Sequence, residues 1–186
     1  MRQVPIVAAA TFVLDQLSKL GVVFGLNLIE RGEIDVAPPF LVFRMAWNRG
    51  VNFGLLTSNA EAMRWVLIAV AVAISVWVWV WVKRDGAGRW AQIAAGLLIG
   101  GAMGNVVDRV AYGAVADFLN MSCCGIENPY AFNVADIAIF AGALGLVVFS
   151  RPPGSGTGSG NGRGTPGPKP GPGARSRPGP TRRKTP

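Results

Sequence analysis

The chain contains no histidine. That absence removes Ser-His-Asp and Cys-His catalysis, and any metal held by imidazole. Cysteine is nearly as scarce: Cys123 and Cys124 are the only two, and they are adjacent. Neighbouring thiols are poorly placed to staple distant segments and cannot supply a four-ligand zinc site, so no catalytic role falls to them. Acid is missing from the end of the chain. Residues 151–186 carry eight of the 18 Lys and Arg and none of the ten Asp and Glu, so the net charge of +8 belongs to this tail and the body is neutral. The tail also has no aromatic side chain to stack on bases, which argues against a nucleic-acid arm. Dominated by Gly, Pro and Arg, it has almost nothing to bury and is expected to be disordered. Its bases are drawn to an anionic membrane surface at roughly 1 kcal/mol per residue lying close to it.

What the body has in quantity is apolar sequence. The chain is 51% hydrophobic with a mean hydropathy of +0.37, too oily for an ordinary soluble domain. A spanning helix needs roughly 20 apolar residues, and four stretches qualify as candidates: 4–29, 65–82, 90–107 and 132–149. The first is interrupted by Asp15 and Lys19 and shows no small-residue cleavage site, so it reads as a retained span rather than a cleaved leader. The third, rich in Gly and Ala, suits close helix contact. "KRDGAGR" (83–89) and the tail concentrate the bases, which places both in the cytoplasm by the positive-inside rule. Both termini are then inside, and 29–63 and 108–131 outside. The outer stretch 40–56, "FLVFRMAWNRGVNFGLL", is aromatic and branched enough to form strands.

Carboxylates in such surroundings need explaining, because a charge costs several kcal/mol to take out of water. Asp117 follows the third span and Asp136 lies one turn inside the fourth, with Pro129 in the reversal between them. That path can bring both groups together at the outer surface. Two carboxyls a few ångströms apart cannot both ionise easily, which leaves a general base beside a general acid. Such a pair activates water without metal, histidine or nucleophilic side chain. The same aspartates could instead cap helices or pair with Arg109. Asn105 and Asn133 read as interhelical hydrogen-bond partners. Asp15 and Lys19, at i and i+4, can pair on one helix face in a structural role. Asp108, beside Arg109, is read as solvated, and its replacement is expected to matter little.

The ordered set "DQLSK" (15–19), "NRGVNFG" (48–54), "GNVVDR" (104–109), "GAVADF" (113–118) and "FNVAD" (132–136) resembles lipoprotein signal peptidase, or signal peptidase II, over residues 4–150. The resemblance implies an intramembrane aspartic peptidase that cuts signal peptides from bacterial prolipoproteins, just before a diacylglyceryl-modified cysteine. It implies a membrane domain over 1–150, four transmembrane helices with a small extracytoplasmic β-cradle, followed by the tail over 151–186. Asp117 and Asp136 would be the catalytic dyad. Asn48, Gly50, Asn105, Arg109 and Asn133 would line the substrate site, and Asp15 and Lys19 would support it. No cofactor or metal is implied. The partners would be lipid-modified prolipoprotein and membrane lipids, with no nucleic acid, and the protein would be a monomer of the bacterial inner membrane. The chain departs from the family at Asn52, where alanine is usual, and in its tail. Two other classes compete on the residues alone: a proton-coupled carrier, which would show internal repeats and midplane acids, and a scaffold, which would leave both aspartates without a task.

Overall fold

The computed structural model describes residues 1–38, 40–50, 60–122 and 128–150. The tail, Cys123 and Cys124, Asn52 and the strand-like stretch beyond Gly50 lie outside the described residues.

Helix α1 (Gln3–Lys19) continues into one π-helical segment (Leu20–Gly25), followed by the short α2 (Leu28–Arg31) and strands β1 (Glu33–Ala37) and β2 (Leu41–Asn48). Helices α3 (Ala60–Arg84) and α4 (Arg89–Tyr112) form a hairpin; strand β3 (Val115–Asn120) and helix α5 (Val134–Phe149) complete the body. Three helical segments, Gln3–Gly25, Glu61–Arg84 and Arg89–Tyr112, are long and apolar enough to cross a membrane. Helix α5 has 16 residues, about 24 Å at 1.5 Å per residue, and falls short of that length. Of the four expected spans, three are therefore present at full length, with a shorter apolar helix in the fourth position. Outward-facing Leu14, Leu17, Trp77, Phe140 and Val147 are all exposed, an apolar exterior that lipid tails would cover.

Helix α4 occupies the centre. Gly96, Gly100 and Gly104 recur every four residues along the face that meets α1, and a Cβ on Gly100 would sit 2.5 Å from the Ala8 carbonyl oxygen. Gly101 faces α5, where a Cβ would sit 2.5 Å from the Ala135 carbonyl oxygen; Gly142 of α5 faces back, 2.6 Å from that of Ala94. These backbones approach as small-residue stripes allow in lipid, and neither interface has room for a methyl group. Helix α3 is held differently. Its Val78 and Val82 pack into a cluster with Ala91, Ala94, Ala95 and Leu98 of α4, and it barely meets α5.

The three strands form one antiparallel sheet in the order β1-β2-β3. Only β2 was foreseen, within the 40–56 stretch. The sheet rests on a second cluster of Val23, Leu28, Ala116 and Phe118. Phe43 meets Phe118 edge-on with ring centroids 5.9 Å apart, an arrangement aromatic quadrupoles favour. Val23 reaches this cluster from the π-helical segment, and such segments recur at functional sites.

Candidate active site

Helix α4 ends at Gly113, whose φ of 77° lies in the left-handed region that glycine reaches without penalty. This turn sends the chain straight into β3, so Asp117 stands on a strand beside the helix end. The chain then reverses, held by Asn120, whose Nδ2 donates to the carbonyls of Asn128 (2.7 Å) and Tyr130 (2.9 Å). It returns as an antiparallel bridge between Leu119 and Phe132, and α5 starts at once. Asp117 and Asp136 are thus fixed on the two arms of one short β-bridge.

Asn133 joins them. It is completely buried and forms a reciprocal cap at the start of α5: its Oδ1 accepts from the Asp136 amide (2.9 Å), while Asp136 Oδ2 accepts from the Asn133 amide (3.2 Å). Its Nδ2 donates to Asp117 Oδ1 at 2.6 Å. One asparagine therefore holds both aspartates. Each carboxylate has a second amide donor: Asn105 Nδ2 reaches Asp136 Oδ1 at 2.9 Å, and Asn48 Nδ2 reaches Asp117 Oδ2 at 3.0 Å. Asn48 is aimed by Gly50, whose amide donates to Asn48 Oδ1 at 2.9 Å. Gly50 has a φ of 99°, and a Cβ there would lie 2.6 Å from Leu67 Cδ1. The expected link between Asn105 and Asn133 is present at 3.3 Å. Helix capping is real for Asp136, yet it occupies one oxygen of the two.

A second polar cluster lies behind the first. Lys19 Nζ is 2.7 Å from Asp15 Oδ2 and 2.8 Å from Asp108 Oδ2. The reading of Asp108 as solvated is wrong: it is 1% exposed. Helix α4 turns it inward, towards α1, and a buried carboxylate persists there because a lysine pairs with it. Asp15 Oδ1 accepts from the Ala135 amide at 3.0 Å, and Asp108 Oδ2 from the Ala116 amide at 3.2 Å. Ala135 and Ala116 immediately precede Asp136 and Asp117. Gln16 Nε2 bridges Asp15 (3.1 Å) and Asp108 (3.2 Å), and Lys19 also reaches Asn105 Oδ1 at 3.4 Å.

Residues 7–151 match the family model described as Signal peptidase (SPase) II. A relative named lipoprotein signal peptidase from Methylorubrum extorquens (strain PA1) is 43% identical over 144 residues, covering 77% of this chain and 82% of the relative. Another of that name, from Methylobacterium sp. (strain 4-46), is 46% identical over 141 residues, covering 76% and 84%. The chain belongs to the signal peptidase II family. It is therefore a peptidase. Two solved structures, each described as a bacterial membrane enzyme, share its fold. One is 25% identical with a TM-score of 0.66, covering 80% of this chain and 87% of that one; the other is 24% identical with a TM-score of 0.68, covering 80% and 92%.

Within this signal peptidase II chain, Arg109 makes no ion pair with either Asp117 or Asp136. Its Nη1 donates to the Asn105 carbonyl at 3.3 Å, and its buried Nε has no partner among the described residues. Arg109 and Asn105 line one end of a cavity of about 380 Å³ between α3 and α5, with Leu67, Ile74, Leu98 and Ile139 among its walls. Asp108, Gln16 and Gly104 are the members of the site that sequence reasoning missed. One signal was available: Asp108 continues the four-residue stripe of Gly96, Gly100 and Gly104, so it had to face α1.

Burial, reinforced by the charge of Asp136, pushes the Asp117 carboxyl up from 3.8 to about 6, against the hydrogen bonds from Asn48 and Asn133 and the charge of Lys19. A carboxyl raised on folding favours the fold through its protonated form. Its contribution is complete below the ordinary value and is lost as pH rises through about 6. Thermal unfolding in detergent should therefore show wild-type stability falling between pH 4 and pH 7 relative to Asp117→Asn. Parallel pH dependences for the two proteins would refute the assignment.

Proposed function

We propose that this protein is an intramembrane aspartic endopeptidase that removes signal peptides from diacylglyceryl-modified bacterial prolipoproteins, cutting before the lipidated cysteine. The observation that carries this reading is Asn133, whose side chain binds the Asp117 carboxyl and whose amide binds that of Asp136, beside Asn105 in the wall of an apolar cavity.

The mechanism follows from one proton shared by two carboxyls. Burial pushes the Asp117 carboxyl up to about 6, and one carboxyl of the pair carries the proton while the other acts as base. A water between them attacks the scissile carbonyl as the ionised carboxylate takes its proton. The protonated one stabilises the developing oxyanion and then helps protonate the leaving amine. The two carboxyls exchange these roles over the cycle. Asn48, Asn105 and Asn133 fix the carboxyl orientations, and the unpartnered Nε of Arg109 offers a donor to the substrate backbone. The groove between α3 and α5 takes the signal peptide as an apolar helix. Its open side lets the diacylglyceryl chains stay in lipid.

In the membrane, the basic α3–α4 turn and the basic tail (151–186) face the cytoplasm. With α5 as a fourth, short span, both termini are inside, and the sheet and dyad sit at the extracytoplasmic surface of the bacterial inner membrane. The protein works as a monomer. The test uses purified protein in nanodiscs with one prolipoprotein in lipidated and unlipidated forms. Lipidated substrate alone should yield a product beginning at the modified cysteine. Equal turnover of both forms would refute lipid recognition, and cleavage at another bond would refute the cut position.

A further inference from the structure

The groove does not stop at the apolar middle of the molecule. The cavity beside Arg109 shares Ile74 and Leu98 with a second cavity of about 340 Å³, walled by Trp77, Trp81, Ala143 and Val147. That cavity shares Trp81 and Ser150 with a third, of only about 40 Å³, enclosed by Asp85, Gly86, Gly88 and Phe149. The track therefore runs along the whole α3–α5 cleft and changes character at its far end. There it narrows to the size of one polar head group and gains a carboxylate and the Phe149 ring, with Trp81 continuing as a wall.

We propose that this inner cavity binds a basic residue of the substrate's n-region, the positively charged segment that precedes the apolar run of a signal peptide. Asp85 is the sole acid between Glu61 and Asp108, and among the described residues it makes no ion pair. Trp81, stacked on Trp77 with centroids 5.7 Å apart, presents an aromatic wall to a cation. A Lys or Arg stem lies along such rings while its head reaches the carboxylate. Asp85 is as exposed as Lys83, Arg84 and Arg89, which flank the turn and can meet anionic lipid, but it alone of these charges lines the cavity.

Length supports the match. Asn105 marks the dyad and Ala91, which packs in one cluster with Val82, marks the inner end; helix α4 rises about 21 Å between them at 1.5 Å per residue. A substrate helix cut at the dyad thus brings its residue about 14 positions upstream to Asp85. Signal peptides carry roughly 7–15 apolar residues between the basic segment and the cleavage site, so the charge arrives where the acid is.

This inference rests on the proposed function, and its test separates the two. Wild-type protein and Asp85→Asn are compared in nanodiscs on lipidated prolipoproteins whose n-regions differ only by Lys→Gln. The wild type should show a KM about three- to tenfold lower for the basic form at equal kcat, and Asp85→Asn should lose that preference. Asp85→Lys should prefer an n-region carrying Glu. Equal KM values for basic and neutral substrates in the wild type, or a preference retained by Asp85→Asn, would overturn the proposal. A photo-crosslinker about 14 residues before the cut, presented to non-cleaving Asp117→Asn, reads the contact directly. Labelling of 81–89 or Ser150 is expected. Labelling elsewhere would overturn the proposal even if cleavage behaves as proposed.

Discussion

Asn in place of Asp117 or of Asp136 should abolish prolipoprotein cleavage, lowering kcat by about 10²–10⁴-fold or more, while the protein remains folded and membrane-inserted. The substitution is nearly isosteric at both places, so the cause is chemical. Asn at 136 can still accept from the Asn133 amide, which keeps the start of α5 capped. Asn at 117 exchanges one accepting oxygen for a donor facing either Asn48 Nδ2 or Asn133 Nδ2, both of which donate to Asp117 now. That mismatch costs about 1–3 kcal/mol, partly offset above pH 6 by removing a buried charge. Turnover is measured per inserted molecule, with thermal unfolding as the control for folding. Near-normal turnover in either variant would remove that residue from the mechanism.

Asp108→Asn should lower kcat by about 10²-fold, the scale on which displacing a reacting group by an ångström acts, with KM little changed. Asp108 never faces the groove; it holds the amide just before Asp117, as Asp15 holds the amide just before Asp136. Lys19 balances both carboxylates. The consequence of disturbing this trio is a misaimed dyad, which reads in kcat rather than in binding. Lys19→Met is the harsher change, because it leaves two buried carboxylates unpaired at a cost of about 3–5 kcal/mol. Gly104→Ala tests the same device sterically, since a Cβ there would collide with Asp15 Oδ2. A kcat within twofold of wild type for Asp108→Asn would show that the dyad needs no such support.

Much of the site could be read in the sequence because its residues sit in short contiguous runs. "FNVAD" is a helix cap whose aspartate also belongs to the proposed dyad, and the cap follows from an asparagine three residues before an aspartate. The pairing of Asp15 with Lys19 follows from helical spacing. Asp108 escaped because it lies on a different helix face from Arg109 and so reads as solvated, although the glycine stripe already gave the phase of α4. Strand β3 was hidden for another reason. Val115, Ala116, Asp117 and Phe118 are all buried, so both faces are covered and no alternation of polar and apolar residues marks a strand. Strand β1 is a short edge segment carrying Glu33 and Asp35, a pattern that discourages edge pairing and hides a strand from propensity. Nothing in "LGVVFG" announces a π-helix.

Helix α3 is fastened at its ends. Near its start Arg64 Nη2 donates to the Val110 carbonyl at 2.8 Å; near its finish Val78 and Val82 are buried against α4. Between these points Ser75 alone is buried and α3 forms the outer wall of the groove, whereas α1, α4 and α5 meet at glycines that leave no clearance. In mechanical terms the molecule is a stiff frame with one compliant side. Signal sequences have in common their oiliness and length more than any order of residues. A wall that yields can admit thick or slender helices, and the strain of each guest is absorbed there. The frame that aims the two carboxyls does not feel it. On the proposed function, breadth of substrate and constancy of the cut would then rest on different helices.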